Sequence, residues 1–206
     1  MTFESSNPNT TVRYSVPFQL IFGLVFAALN FVLKTVQYYS PIPLYLDTVF
    51  TITASFFGAL CGAVCSVIFH TMVAIHVHNP ANFFWVFCSL TIVLIIRLYL
   101  KKREQISVFG MIFLIIIVSV IIGFEGSVLF VILNTVVQYK DDSPARVMYH
   151  ILMRSNFPIF VSAFLPRIPM NILDKTISFP LGYAAFLWIK KMRGKVSPAL
   201  FRESTH

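Results

Sequence analysis

The sequence predicts an all-α membrane protein, a polytopic membrane helical bundle that forms a single integral membrane domain over residues 1–206. Hydrophobic residues make up 57% of the chain, charged residues only 12%, and the mean hydropathy is +0.80. A soluble domain of ordinary composition carries about a quarter charged residues. Several stretches also reach the ~20 apolar residues that are needed to cross the hydrocarbon core of a bilayer.

Apolar stretches separated by turns predict six transmembrane helices. We place them at about Pro17–Val36, Leu44–Leu60, Ala63–Val77, Phe83–Tyr99, Ser107–Val137 and Pro169–Lys190. The turns between them contain Pro, Gly, Asn or basic residues, which interrupt or end helices.

The segment before the last span has a different pattern. Ala145–Arg154 is amphipathic, and Phe157–Leu165 is apolar but too short to cross a bilayer. We therefore expect an interfacial or re-entrant segment here, folded over one face of the bundle.

The basic residues predict topology rather than a nucleic-acid partner. The net charge is +8, but the positive side chains cluster at the ends of predicted spans four and six. The clusters are Arg97, Lys101, Lys102 and Arg103 in the first case and Lys190, Lys191, Arg193 and Lys195 in the second. Because basic residues favour the cytoplasmic side, both clusters and both termini are expected to be cytoplasmic.

Polar residues inside the predicted spans converge on the outer half of the bundle. Asn30 lies late in span one, Asp47 lies early in span two, and Asp174 and Lys175 lie near the start of span six. Glu125 lies ~27 Å from the inner end of span five at 1.5 Å per residue. Ionisable side chains within a membrane usually mark a ligand or ion site. The pattern predicts an outer cavity that captures a small polar solute.

Each of these residues also has a structural interpretation. Asp174 and Lys175 would then pair with Arg167 or Asp47 to fix the bundle, and Glu125 would bond to Asn30 or to a helix turn. Two aromatic residues of the outer edge are candidate walls for a flat heterocyclic ligand, since rings stack on rings; these are Tyr45 and Trp85. The alternative for both is membership of the interfacial aromatic belt.

The sequence contains no catalytic or nucleotide-binding motif, so we expect no enzyme activity and no cofactor. His70, His76 and His78 do not have the spacing of metal ligands, so no metal is expected. Cys61, Cys65 and Cys88 lie in apolar segments and are expected to pack in the helices. Any energy from ATP would have to come from a partner.

Two segments resemble the substrate-binding S components of energy-coupling factor (ECF) transporters. Residues 44–67 are similar to their second and third helices, with an acid at the outer start followed by a turn rich in Gly and Ala. Pro169–Tyr183, with Asp174-Lys175 ahead of an apolar run, is similar to their last helix. Six helices with both termini inside also fit that family.

The resemblance implies a substrate-capture subunit in a bacterial-type plasma membrane. It would bind a vitamin-like or heterocyclic solute and dock onto a membrane-embedded coupling subunit driven by paired ATPases. The family docks through small residues spaced by four on the first helix, which Gly23 and Ala27 match here; packing within the chain's own bundle is the alternative. A membrane sensor or signalling module of similar bundle architecture, without transport, is the alternative function.

Overall fold

A computed structural model describes residues 14–38, 46–101, 106–139 and 145–196, which are helical almost throughout and contain no strand. Seven α-helices and one 3-10 helix succeed one another in these ranges. They are α1 (Val16–Tyr38), α2 (Val49–Phe57), α3 (Ala59–His76), the 3-10 helix (Pro80–Trp85), α4 (Val86–Leu100), α5 (Val108–Val137), α6 (Ala145–Arg154) and α7 (Ile159–Val196).

Four helical segments of the described chain are long and apolar enough to cross a membrane. They are Val16–Gln37, Ala59–His76, Pro80–Leu100 and Val108–Val137. They correspond to predicted spans one, three, four and five. The all-helical architecture of a membrane protein is confirmed to this extent, whereas the predicted count of six spans is not.

Helix α2 is much shorter than the second span predicted at Leu44–Leu60. It has nine residues and measures about 14 Å, roughly half the thickness of a hydrocarbon core. Gly58 ends it in an extended conformation, and α3 begins at the next residue. A Cβ at Gly58 would lie 2.0 Å from Oε1 of Gln19, so a larger residue here would displace the flexible end of the Gln19 side chain.

Helix α7 is much longer than the predicted sixth span, with 38 residues and a length of about 57 Å. The apolar segment Phe157–Leu165, predicted as part of an interfacial or re-entrant element, instead contributes most of its residues to the first turns of this helix. Pro166 and Pro169 lie inside it and donate no backbone hydrogen bonds. Two side chains donate to carbonyls of the same stretch: Arg167 Nη1 to Ala163 O, and Asn171 Nδ2 to Arg167 O, both at 2.8 Å. A proline removes the amide that would bond the carbonyl four residues earlier, here those of Ser162 and Leu165, so these two side-chain bonds do not replace the missing ones.

Helix α6 has the bounds that the amphipathic pattern predicts, Ala145–Arg154, and it packs against α7. Its helical structure is therefore confirmed, and its interfacial location stays a prediction.

Helix α2 joins the two apolar cores of the bundle. Ile52 and Phe56 pack into a core built with α4, α5 and α7, and Ala54 and Phe57 pack into a core built with α1 and α3. Large apolar side chains also cover the outside of the bundle; Ile21 on α1 and Phe113 on α5, for example, are 59% and 56% exposed. A bundle that is apolar both inside and outside suits a lipid environment.

The close contact of α7 with α2 gives a first prediction. A Cβ at Gly182 would lie 2.9 Å from Cγ2 of Ile52 and 2.9 Å from the carbonyl oxygen of Val49, which belongs to the backbone and cannot rotate away. Gly182→Ala should therefore lower the free energy of unfolding by about 1–3 kcal/mol. Thermal unfolding in detergent measures this change.

Gly123→Ala is the matched control. A Cβ at Gly123 would meet its nearest neighbour, Ile168 Cγ1, at 3.7 Å, an ordinary van der Waals distance. Because alanine is the better helix former, this variant should be as stable as the wild type or more stable. Equal melting of the two variants would contradict the close packing of α2 and α7.

Candidate functional site at the start of α2

The start of α2 lies inside the bundle, level with the middle of α1. Near one end of α1, Gln19 Oε1 accepts a hydrogen bond from the backbone N–H of Cys61, just after α2 ends. Fourteen residues from the start of α1, about 21 Å along its axis, Asn30 contacts the first turn of α2. Helix α2 therefore runs antiparallel to α1 and begins at a depth where its polar end groups need partners from the protein.

Asn30 supplies the first of these partners. Its Oδ1 accepts from the backbone N–H of Phe50 at 2.9 Å, and its Nδ2 donates to Thr51 Oγ1 at 2.8 Å. The side chain is fully buried. Asn30 thus satisfies a backbone N–H of the first turn of α2 that has no partner within the helix, in the way a capping residue does, but from another helix.

Asp174 and Lys175 supply further hydrogen-bond partners for the start of α2. Both are buried, with 0% and 2% exposure. Lys175 Nζ forms a salt bridge with Asp174 and donates to Thr48 Oγ1 at 2.9 Å. Asp174 Oδ1 accepts from the backbone N–H of Leu46 at 2.9 Å and from Ser178 Oγ at 3.3 Å. We call these residues together with Asn30 and Thr51 the α2-start network.

The structural interpretation of the sequence named other partners for these two charges. Asp174 and Lys175 pair with each other rather than with Arg167 or Asp47, although they are adjacent in sequence and point about 100° apart on an ideal helix. The long lysine side chain closes this gap. Charges buried at this level are tolerated only when they are paired and hydrogen-bonded, as they are here.

Asp47 and Lys34 form a second ion pair beside the network. Lys34 Nζ lies 3.3 Å from Asp47 Oδ2, and the two side chains are 37% and 18% exposed. This pair is thus accessible from outside the protein, whereas Asp174 and Lys175 are sealed. Of the described charged groups at the start of α2, Lys34 and Asp47 are the ones with exposed surface.

Glu125 does not join this group of residues. Its Oε1 accepts from Thr91 Oγ1 of α4 at 3.2 Å, and its Oε2 is buried without a hydrogen-bond partner among the described residues. Asn30, one of the two structural partners considered for Glu125, is instead engaged with α2. Glu125 lies on the side of α5 that faces α4.

Trp85 also lies apart from the α2-start network, in contact with α5. Its Nε1 donates to Tyr139 Oη at 3.3 Å, and Tyr139 Oη donates to Asn82 Oδ1 at 2.8 Å. A Cβ at Gly126 would touch the Trp85 ring at 3.3 Å and Arg167 Cδ at 4.0 Å. The second predicted aromatic wall, Tyr45, lies outside the described residues.

Arg167, which stands just before the predicted sixth span, is buried near Trp85. It is 4% exposed, and its guanidinium carbon lies 4.5 Å from the centre of the Phe130 ring, a cation–π geometry. Arg167 points inward because α7 begins at Ile159, ahead of the predicted sixth span. Arg167 therefore lies within the helix that packs against α5.

The predicted docking residues Gly23 and Ala27 face α3. A Cβ at Gly23 would lie 2.9 Å from Cβ of Val64, and Ala27 has no exposed surface. This arrangement corresponds to packing within the bundle, the second of the two interpretations. Docking through them stays a prediction and would require α1 and α3 to separate.

Two residues of this site, Lys34 and Ser178, were not predicted from the sequence, whereas Thr48 and Thr51 belong to the polar residues of predicted span two. Lys34 lies one helical turn after Asn30, a spacing that places both on the same face of α1 and would have indicated it. Ser178 carries a small hydroxyl group of a kind that occurs throughout membrane helices, so its pattern alone carries no signal. Another buried polar contact joins His70 Nε2 to Ser89 Oγ at 2.8 Å, and it gives this histidine a structural role.

Comparisons of the chain with protein-family models, with curated proteins and with solved structures find no match. The likeness to ECF S components therefore depends on two sequence segments, residues 44–67 and Pro169–Tyr183.

The buried pair gives a second prediction. Asp174→Asn leaves Lys175 as an uncompensated buried charge, so it should lower the free energy of unfolding by about 3–5 kcal/mol. In the double variant Asp174→Asn/Lys175→Met both charges are gone, and most of this loss should be recovered. Chemical or thermal unfolding of the two single variants and the double variant forms a complete cycle. Additive effects of the two substitutions would show that the pair is not coupled.

Proposed function

We propose that this protein is a membrane-embedded substrate-capture subunit that binds a small vitamin-like or heterocyclic solute for ATP-driven uptake. The observation that carries the proposal is the gathering of charged and amide groups at the start of a half-length helix inside an apolar bundle. Transporters often build substrate sites at such interrupted helices near the middle of the membrane. Intramembrane charges are retained mainly where they serve a ligand or ion.

The accessible ion pair is where the solute would first make polar contact. Lys34 and Asp47 offer one positive and one negative group, so a charged or strongly polar group of the solute can replace either partner. Beneath them, Asp174 and Lys175 would hold the start of α2 in place. Contacts of the solute with Asp174, Lys175, Glu125, Asn30, Tyr45 and Trp85 remain predictions.

Uptake would depend on a membrane-embedded coupling subunit and paired ATPases, because no nucleotide-binding motif was found in this sequence. Docking through Gly23 and Ala27 requires α1 to move away from α3. Ala28, beside them, is already exposed on the outside of α1. We infer that the outer face of α1 makes the first contact with the coupling subunit through Ala28, since a small residue lets another helix approach closely.

The topology that goes with this function has six crossings and both termini on the cytoplasmic side of a bacterial-type plasma membrane. Helix α7 would form the last crossing, since its central charges, Arg167, Asp174 and Lys175, are buried and do not meet lipid. Helix α2 would form an incomplete second crossing. The basic residues near the ends of α4 and α7 support the orientation.

The third prediction tests substrate capture. The purified protein should retain a small organic compound, which mass spectrometry identifies, and titration calorimetry then gives its affinity. Asp47→Asn should weaken binding roughly ten- to hundred-fold, since a charge-assisted hydrogen bond is lost. It should change stability little, because partly exposed ion pairs contribute only about 0–1 kcal/mol.

Lys34→Met provides the comparison from the other side of the pair. A solute that binds through a cation should lose affinity in Asp47→Asn, and one that binds through an anion should lose more in Lys34→Met. If no compound is retained and a panel of vitamins and their precursors produces no thermal shift, capture of such a solute is wrong.

The fourth prediction concerns the partner. Ala28→Leu should reduce co-purification of the coupling subunit and ATPases from native membranes while leaving the melting temperature and the solute affinity unchanged. Gly23→Leu should also reduce it, but through loss of stability, because its side chain collides with Val64. Co-purification with a kinase and without ATPases would instead favour the sensor function.

A further inference from the structure

Helix α6 has three different faces around its axis. On the first, Ala145 and Tyr149 are buried where the helix packs against α7, and the Tyr149 ring meets Phe130 edge to face at a centroid distance of 4.9 Å. This side attaches α6 to the bundle. The other two sides face outward, and each has its own chemistry.

The second face is apolar and exposed. Val147, Met148 and Ile151 are 69%, 51% and 53% exposed. At 100° per residue these three side chains occupy one continuous sector of the helix. Three large exposed apolar side chains within ten residues need an apolar medium on that side.

The third face is basic. Arg146, His150 and Arg154 succeed one another at intervals of four residues and are all exposed. The stripe they form runs along the helix between the buried face and the apolar face, with about 6 Å between successive positions. Helix α6 contains no acidic residue, so the stripe has no negative charge within its own helix.

We propose that α6 lies in the membrane interface and binds the headgroup of an anionic phospholipid through His150 and Arg154. An apolar stripe beside a basic stripe, both parallel to the helix axis, suits the boundary between acyl chains and headgroups. The apolar stripe would enter the acyl region, while Arg154 and the ring N–H of His150 donate to phosphate oxygens. This inference goes beyond solute capture and does not depend on it.

The experiment uses the full chain in mixed micelles of detergent and phosphatidylcholine. Phosphatidylglycerol is titrated in, and the rise in melting temperature gives its apparent affinity. Arg154→Gln should weaken the affinity for phosphatidylglycerol roughly five-fold, the contribution of one basic residue near an anionic surface. Arg154→Lys keeps the charge and should retain most of the affinity. Because Arg154 is exposed, both variants should melt like the wild type in phosphatidylcholine alone.

Two further measurements separate a lipid from other occupants. Inorganic phosphate in place of phosphatidylglycerol should give no comparable rise in melting temperature. A nitroxide at Val147→Cys should collide with oxygen, which dissolves in lipid, more than with a water-soluble nickel complex, whereas a nitroxide at His150→Cys should show the reverse preference. The three native cysteines are buried and so are poorly placed for labelling.

Equal phosphatidylglycerol titrations of the wild type and Arg154→Gln would overturn the proposal. An equal effect of inorganic phosphate would overturn it as well, because the ligand would then be a free anion. A nitroxide at position 147 that collides mainly with the nickel complex would place the apolar face in water or against another protein. That result would also overturn the proposal.

Discussion

The salt bridge between Asp174 and Lys175 is the interaction on which the interior of this bundle depends. A helix of nine residues that begins inside an apolar bundle has backbone N–H groups without partners in its first turn, at a depth where water is scarce. Asp174 accepts from the backbone before α2, and Lys175 holds the hydroxyl of Thr48 at its N-cap. The charges are stable there because they pair with each other and bond to groups at the start of α2. Either charge without the other would not be tolerated.

The same interaction explains how α2 can join two apolar cores. Its side chains pack alternately toward α1 and α3 on one side and toward α4, α5 and α7 on the other. A helix surrounded in this way has little lipid-facing surface to fix its position along the membrane normal. Its position is set by its ends: by the α2-start network at one end, and by Gly58 packed against Gln19 at the other.

Long apolar runs and the placement of charge made part of this architecture predictable. Four spans, the amphipathic helix α6 and the nearness of Asn30, Asp47, Asp174 and Lys175 to one another came from hydropathy, periodicity and depth. The turn that ends α2 was predicted from the small residues that begin at Gly58, although it takes one residue and not six. The start of α2 at Val49 could not be predicted, since it depends on contacts with Asn30, Asp174 and Lys175 of distant helices. The continuity of α7 was hidden by Pro166 and Pro169, which normally interrupt helices.

The direct passage from α2 to α3 at Gly58 has a consequence for how the chain enters the membrane during synthesis. Nine residues cannot cross the hydrocarbon layer, and the charge of Asp47 just before them makes this segment a poor candidate for insertion by itself. The largely apolar helix α3, eighteen residues long, comes after a single glycine. The two helices therefore have to be inserted together, as one hairpin carried by α3. The buried ion pair can form only afterwards, when α7 has been made and packs against a hairpin already in place. Until then the start of α2 lacks its partners, and α7, which is synthesised after them, completes the interior formed by α1, α2 and α3.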